Sequence, residues 1–413
     1  SLGMMAQKTN YLQQNPLPAD EAGLADMQPL PAVTHLEERE MPFVIDSVAF
    51  DQLVMELSAV FKDYKDIYNS SVMLNGLEMD IYRLTTEGVQ LKKPGGAISL
   101  AVSGSVRCDD GSSLSDSFSL SLQNPAELPS IEQLKERTKA FAEGLLRLKS
   151  TPVVAEYYNG PVMFEGGAVA TILANNLLNR GGLIATRSLG PTRGGLADQF
   201  GQRIIDSRLT VKNYTAKKEY NGTPLYGYYE VDGEGVTPEA EMTLVDKGVF
   251  GKMLNGRIPT KNALETTGSS RFMMIPQSPT VATGTGTIHV QVDKGISHEK
   301  MKKALIKAAK EAGQSCAYIV RGISGATLEV YRVDLKDGRE TRVRATSFRL
   351  PDLTKLLKLV AISSKEEVLN YLLNNYPASM IYPAGVIVDG LVIEKATVKA
   401  EKEPVLTLPQ QRK

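Results

Sequence analysis

Hydrophobic residues recur at helical spacing near the start of the chain and then alternate with polar residues. The apolar positions of residues 47–66 have a period of about 3.6 and predict a helix: Phe50, Leu53, Val54, Leu57 and Phe61. From Ser70 to Leu122 the period becomes two, which predicts antiparallel strands. Their hairpin turns are expected where glycine can adopt a positive φ: Asn75-Gly76, Gly95-Gly96 and Asp110-Gly111.

A capping box, Ser130-x-x-Gln133, predicts a further helix that runs to about Lys149. A helix, a strand meander and a second helix in succession indicate an α+β domain over residues 47–150. The preceding residues 1–46 have no clear period and are expected to be an irregular segment.

The second part of the chain is mostly strand-like, and residues 151–413 are predicted to form a β-rich domain. A short helix is expected over residues 167–180, a strand over residues 225–231 and a terminal hairpin at Asp389-Gly390. The fold class is therefore α+β, with an N-terminal helix-plus-antiparallel-sheet domain followed by a β-rich C-terminal domain.

Charge and composition exclude some classes of function. The 413 residues include 47 basic and 47 acidic ones, so no global field favours nucleic acid and no such partner is expected. No apolar run reaches the length of a membrane span. Cys108 and Cys316 lie far apart in the sequence and are expected to be reduced or buried. Residues 1–7 are compatible with the end of an export signal or with none, so cytoplasmic and periplasmic locations are equally expected.

Four short motifs follow one another along the chain. The first is Gly160-Pro-Val-Met-Phe-Glu-Gly166. The others come later: Asp232-Gly-Glu-Gly-Val236 with Met242–Leu254 behind it, Thr267-Gly-Ser-Ser-Arg271, and Phe348-Arg-Leu350 with a predicted helix behind it. In this order and spacing they resemble the TldD/PmbA family, once called modulators of DNA gyrase. The resemblance covers residues 130–395.

The resemblance implies dimers that enclose a cavity in which extended, unfolded peptides are cleaved. In the best-known pair of the family, one subunit holds the metal and the other is a metal-free partner. The helix of the metal-bearing branch carries His-Glu-x-x-x-His, whereas this chain offers Ala174-Asn175-x-x-x-Asn179. A zinc peptidase needs imidazole, thiolate or carboxylate ligands and a carboxylate base beside the metal. We therefore expect no metal and no other cofactor.

The resemblance then implies a partner subunit or a binder of unfolded peptides in proteolysis or peptide maturation. The partners expected are extended peptides and a second subunit, either an identical copy or a related TldD/PmbA-type chain. Two alternatives remain open, namely an active metallopeptidase with unrecognised ligands and a non-catalytic scaffold protein. Whether the chain is an enzyme is therefore not settled by its sequence.

The candidate peptide-binding residues lie in the first motif, the following helix and the third motif: Glu165, Asn175, Asn179, Ser269, Ser270 and Arg271. Glu165 is suited to a peptide amine or, alternatively, to the N-terminal amides of the next helix. Glycine and serine in the third motif allow a backbone to approach closely. Arg271 offers donors to a peptide carbonyl or C-terminal carboxylate, or else anchors its own loop to a neighbouring acid.

The histidines predict no separate zinc site. His298-Glu299 is followed at the i+4 position by Lys302, so a two-histidine helix face is missing. His289 lies in a predicted strand and is expected at the surface or facing a cavity.

Overall fold

The structure is a computed structural model and describes most of the chain. The described residues are 2–14, 23–154, 156–178, 182–187, 196–275, 280–324, 327–344, 348–373 and 376–394. They form helices and largely antiparallel sheets, so the predicted α+β class is confirmed.

Helices and strands are each numbered in their order along the chain. The helices are α1 (Leu2–Gln14), α2 (Ser47–Val60), α3 (Ile131–Arg147), α4 (Gly167–Leu177), α5 (His298–Glu311) and α6 (Leu353–Leu356). The first strands are β1 (Thr34–Leu36), β2 (Ile67–Leu84), β3 (Gln90–Arg107), β4 (Ser113–Leu122), β5 (Tyr158–Glu165), β6 (Leu209–Tyr214), β7 (Glu219–Tyr220), β8 (Thr223–Pro224), β9 (Glu241–Asp246) and β10 (Val249–Phe250). The later strands are β11 (Ser270–Met273), β12 (Thr280–Thr283), β13 (Thr287–Val292), β14 (Cys316–Ser324), β15 (Thr327–Asp334), β16 (Glu340–Val343), β17 (Ala361–Ile362), β18 (Glu366–Leu373), β19 (Tyr376–Pro383) and β20 (Gly385–Ile393).

Two long strands form the centre of the N-terminal sheet. β2 and β3 have 18 residues each and pair antiparallel from Ile67 opposite Val106 to Leu84 opposite Gln90. β1 and β4 share the other edge of β3, where β1 runs parallel to it and β4 antiparallel. The predicted capping box is present at the start of α3, where the side chains of Ser130 and Gln133 bond to each other's backbone.

Two of the three predicted hairpin turns are wrong, because Asn75-Gly76 lies inside β2 and Gly95-Gly96 inside β3. The glycines of β3 instead permit close packing. A Cβ atom on Gly95 would lie 2.1 Å from the Met274 sulfur, and one on Gly96 would lie 2.4 Å from the Phe43 ring. A glycine pair in a strand thus marks close approach by neighbouring side chains as readily as it marks a turn.

The N-terminal sheet buries opposite faces at its two ends. At one end Leu57 of α2 and Leu134 of α3 pack with Leu100 of β3. At the other end Ile81 of β2 packs with Met274, which belongs to the C-terminal part of the chain. The β2–β3 pair therefore joins the helices of the N-terminal domain to the β-rich domain.

Two six-stranded sheets make up most of the β-rich domain. Their strand orders are β10-β9-β6-β13-β19-β18 and β16-β15-β14-β5-β20-β17. α4 lies in the core between them, where Ile172 and Leu177 pack with residues of both sheets. α5 covers the outer face of the second sheet through Met301 and Leu305.

Two strand predictions in this domain are wrong. Residues 225–231 are irregular, and the backbone N–H of Tyr226 donates to the side-chain hydroxyl of Ser379 (2.7 Å) instead of to the backbone of a strand. Asp389-Gly390 lies within β20, where the register shifts and Gly390 has a φ of 64°, so it is a bulge rather than a hairpin turn.

The segment 1–46 contains α1 and the short strand β1, which pairs with residues 90–92 of β3. The domain bounds themselves stay predictions. Within the described ranges, no helix is both long and apolar enough to cross a membrane.

Candidate functional site

A cleft of about 530 Å³ lies between the two domains. Residues 35–41 of the N-terminal segment and residues 93–96 of β3 line it, and residues 226–233 and 270–272 line it from the β-rich domain. Ser270 and Arg271 of the third motif are therefore in its wall, as are Tyr376 and Pro377.

Arg271 is unusual in this wall because it is a buried cation. It is 5% exposed, and its guanidinium lies 4.0 Å from the ring centre of Tyr229 and 5.4 Å from that of Tyr376. Its Nη2 atom donates to the carbonyl of Pro377 (3.0 Å). Its Nη1 atom is buried and has no hydrogen-bond partner among the described residues. A buried cation without an acid partner is costly, so this arrangement calls for an explanation.

The loop that carries Arg271 is held by two acids of the second motif. Asp232 Oδ2 accepts from the backbone N–H of Ser270 (3.0 Å), while Asp232 Oδ1 accepts from the N–H groups of Glu234 and Val236 (2.9 Å each). Glu234 Oε2 accepts from the hydroxyl of Ser270 (2.5 Å). The acids therefore fix the start of β11, and Arg271 is not the group that anchors its loop to an acid.

Asp232 is only 2% exposed, and burial raises its pKa to about 6 although its three backbone hydrogen bonds oppose that rise. Ser269 is fully buried and its hydroxyl lies 2.9 Å from that of Thr267. Gly268 has a φ of 63°, and a Cβ atom there would come within 2.8 Å of Pro238 Cα. The third motif is thus a rigid loop that places Arg271, and both serine hydroxyls already have partners within the protein.

Acidic groups outnumber basic ones in the rest of the cleft. Lys93 forms an ion pair with Glu37, and burial of Lys93 lowers its pKa while Glu37 opposes that change. The hydroxyl of Tyr228 donates to Glu230, which raises the pKa of Tyr228 to about 12. Glu127 accepts a hydrogen bond from Tyr226 in the same way. The mouth of the cleft therefore carries carboxylates, and Arg271 is a cation at its inner wall.

The remaining predicted site residues lie elsewhere. Glu165 ends β5, and its carboxylate accepts from Arg321 Nε (2.8 Å) and lies 3.7 Å from His298 Nε2. Asn175 is exposed on α4, and Asn179 lies outside the described residues. Neither Glu165 nor Asn175 lines the cleft, so the structure does not bring them together with Arg271.

The residues near α4 do not fit a zinc centre. Ala174 packs against the core and has no donor atom, and the amide of Asn175 is a poor zinc ligand. Across the described ranges, no group of three or more His, Cys, Asp or Glu side chains could hold a metal ion. His289 is 4% exposed, and its Nε2 lies 3.0 Å from a carboxylate oxygen of Glu366, so this side chain already has a partner inside the protein. The absence of metal stays a prediction.

Comparison with solved structures identifies the architecture. TldE from Thermococcus kodakarensis superposes with a TM-score of 0.56 at 15% identity, covering 92% of this chain and 81% of TldE. A candidate modulator of DNA gyrase from Thermotoga maritima gives 0.58 at 14% identity, covering 90% and 81%. Another from Bacteroides thetaiotaomicron gives 0.52 at 16% identity, covering 86% and 76%.

The chain has the TldD/PmbA-type fold. The resemblance read from its motifs is thereby confirmed for the architecture, since identities this low establish the fold alone. No family model matches the sequence, and no curated protein sequence matches it either.

The sequence had not revealed the aromatic contacts of Arg271 or the partners of its loop. Tyr229 comes only three residues before Asp232, so an aromatic run directly ahead of an acidic motif was the available signal. Tyr376 lies more than 100 residues away from Arg271, and only the fold brings the two together.

Proposed function

We propose that this chain binds extended, unfolded peptides without a catalytic metal of its own, as a partner subunit in proteolysis or peptide maturation. The cleft between the two domains carries this proposal, because it combines an open groove, aromatic walls and a buried arginine whose Nη1 atom has no hydrogen-bond partner among the described residues. Sites that hold a peptide need such convergent polar groups within a concave, partly apolar surface.

The edge of β3 supports an extended ligand in this cleft. β1 pairs with β3 up to Lys92, and β4 pairs with it from Ile98 onward. Residues 93–97 therefore lie between the two partners on that edge, and residues 93–96 line the cleft. Extended peptides bind well along such strand edges, where main-chain groups supply the hydrogen bonds. The carbonyl of Gly95 already accepts from Arg39 (3.3 Å), so an occupant would share this edge with that side chain.

Exposed apolar side chains support the second part of the proposal, a dimer with an identical or related subunit. β2 is an edge strand of its sheet, and Tyr68, Tyr82 and Leu84 of this strand are 59%, 66% and 77% exposed. Val48 and Met55 of α2 are exposed as well. Long strand edges with apolar side chains are typically covered by another chain. Light scattering should report a dimer, and a monomer at tens of micromolar with no related partner in pull-downs would contradict this part.

Peptide capture combined with metal analysis tests the proposal. A fluorescent unstructured peptide should bind to the purified protein in an anisotropy titration, and mass spectrometry should find the peptide intact after incubation. Elemental analysis should find no stoichiometric zinc. Zinc at about one atom per chain together with peptide cleavage would favour a metallopeptidase, and no binding of unstructured peptides would favour a scaffold.

A further inference from the structure

We infer that the inner wall of the cleft is a subsite for the free carboxyl terminus of the bound peptide, recognised by Arg271. The inference rests on the proposed function and adds the chemical group that positions the peptide. It assigns Arg271 Nη1 as the donor that the carboxylate meets.

The state of the Arg271 guanidinium is the first argument. The side chain is only 5% exposed. Among the described residues, its Nη2 atom has one carbonyl acceptor and its Nη1 atom has none. The rings of Tyr229 and Tyr376 contact the cation from its faces, and neither supplies a negative charge. A carboxylate is the planar anion that the edge of a guanidinium binds best, often through two parallel hydrogen bonds.

The charges at the mouth favour a peptide over a polyanion. Acidic side chains outnumber lysines and arginines in the lining of the cleft, and Lys93 is already paired with Glu37. The acids are Glu37, Glu38, Glu40, Glu127, Glu230 and Asp232, and the basic residues are Arg39, Lys93, Lys218 and Arg271. A phosphorylated or strongly acidic ligand would be repelled at this rim, whereas a peptide carries its single obligatory negative charge at its end.

Nη1 is itself covered, so the ligand must draw the guanidinium toward the cleft or displace a neighbouring side chain. The rigid loop behind Arg271 leaves its long side chain as the part that moves. We therefore expect binding to shift Arg271 while β11 stays in place.

Matched peptides test the inference with the full-length protein. One unstructured decapeptide carries a fluorophore at its N-terminus and ends in either a free carboxylate or an amide. In anisotropy titrations the acid form should bind at least about tenfold more tightly than the amide, as expected for a lost charge-assisted hydrogen bond. In Arg271→Gln this ratio should fall to about one, and in Arg271→Lys it should keep part of its value, because the charge remains. Arg147→Gln, on the exposed surface of α3, is the control and should keep the full ratio.

Each outcome decides between the two ideas. Equal affinity of wild-type protein for the acid and the amide overturns the carboxylate subsite and leaves peptide binding intact. A ratio that survives in folded Arg271→Gln overturns the role of Arg271. If neither peptide binds, both the subsite and the proposed function fail. If Arg271→Gln does not fold, the wild-type ratio and Arg271→Lys still decide.

Discussion

Two arginines in the β-rich domain are equally buried but have opposite surroundings. Arg257 is 3% exposed and Arg271 is 5% exposed. Arg257 donates through Nε to the carbonyl of Gln28 (2.8 Å) and pairs through Nη2 with Glu87 (2.7 Å). Arg271 has a single carbonyl acceptor and no acid partner among the described residues. Arg257 connects the N-terminal part of the chain to the β-rich domain. Arg271 does not make contacts of that kind.

Burial is therefore a poor guide to what an arginine does, whereas its partners are a good one. Removing one partner of a buried ion pair is strongly destabilising, because the other charge is then left buried without compensation. A buried cation without a partner destabilises the protein until something binds to it, and natural proteins retain such groups mainly at functional sites. The comparison predicts opposite responses of the two residues to substitution.

Removing Arg257 should have the largest effect. Arg257→Met leaves Glu87 and the Gln28 carbonyl without their donor, and we expect the free energy of unfolding to fall by about 3 kcal/mol. Urea unfolding followed by circular dichroism measures this change. Arg147→Met, on a side chain that is 69% exposed, is the matched control and should change stability by less than about 0.5 kcal/mol. A loss below about 1 kcal/mol for Arg257→Met would remove the distinction between the two arginines.

The acid that holds the Arg271 loop should make stability depend on pH. The folded pKa of Asp232 is about 6, above the ordinary value of 3.8, so its contribution is fully present below pH 4 and is lost as pH rises through 6. The loss is roughly 2–3 kcal/mol for a shift of this size. Asp232→Asn should remove this slope, and it should also loosen the loop, because its amide nitrogen cannot accept from a backbone N–H. Unfolding curves at pH 4, 5, 6 and 7 for both proteins check this, and an identical slope in the variant would contradict it.

Removing a carboxylate at the mouth of the cleft should have the smallest of these effects, a small change in peptide affinity. Glu230→Gln removes one exposed carboxylate, so a peptide with lysines upstream of its free carboxyl terminus should bind about twofold more weakly. Its binding to a lysine-free peptide should be unchanged. Glu143→Gln on α3 is the control, since that carboxylate is 58% exposed and does not line the cleft. The effect should also diminish at high salt, and an effect that is equal for both peptides would count against an electrostatic role.

The predictable parts of the molecule are those fixed by local pattern. The period of 3.6 residues and the Ser130 capping box located α2 and α3, and the four motifs in sequence order identified the fold. The hairpin turn predicted at Gly95-Gly96 was wrong, because these glycines are needed for contacts with Met274 and Phe43, which are distant in sequence. A turn and a close contact both call for glycine, so its presence alone does not distinguish them.

The candidate site was only partly predictable for the same reason. Arg271 was singled out by its motif, and Ser270 lies beside it in the cleft. Glu165 was selected for its place before a helix, but its contacts are with Arg321 and His298. Tyr376, which completes the setting of Arg271, comes from another sheet and had no signal in the sequence. Long-range neighbours decide whether a charge has a partner, and one sequence does not show them.

Stability of Arg271→Met, with and without ligand, tests the central claim most directly. Without peptide, the variant should match wild-type stability within about 1 kcal/mol, because the lost Pro377 bond is offset by the removal of an unpaired buried charge. A peptide with a free carboxyl terminus at about 100 times its Kd should stabilise wild-type protein by about 2.7 kcal/mol, and the same concentration should stabilise the variant much less. A loss of about 3 kcal/mol without peptide, as expected for Arg257→Met, would make Arg271 a structural residue. Equal stabilisation of both proteins by the peptide would equally contradict a carboxylate site at Arg271.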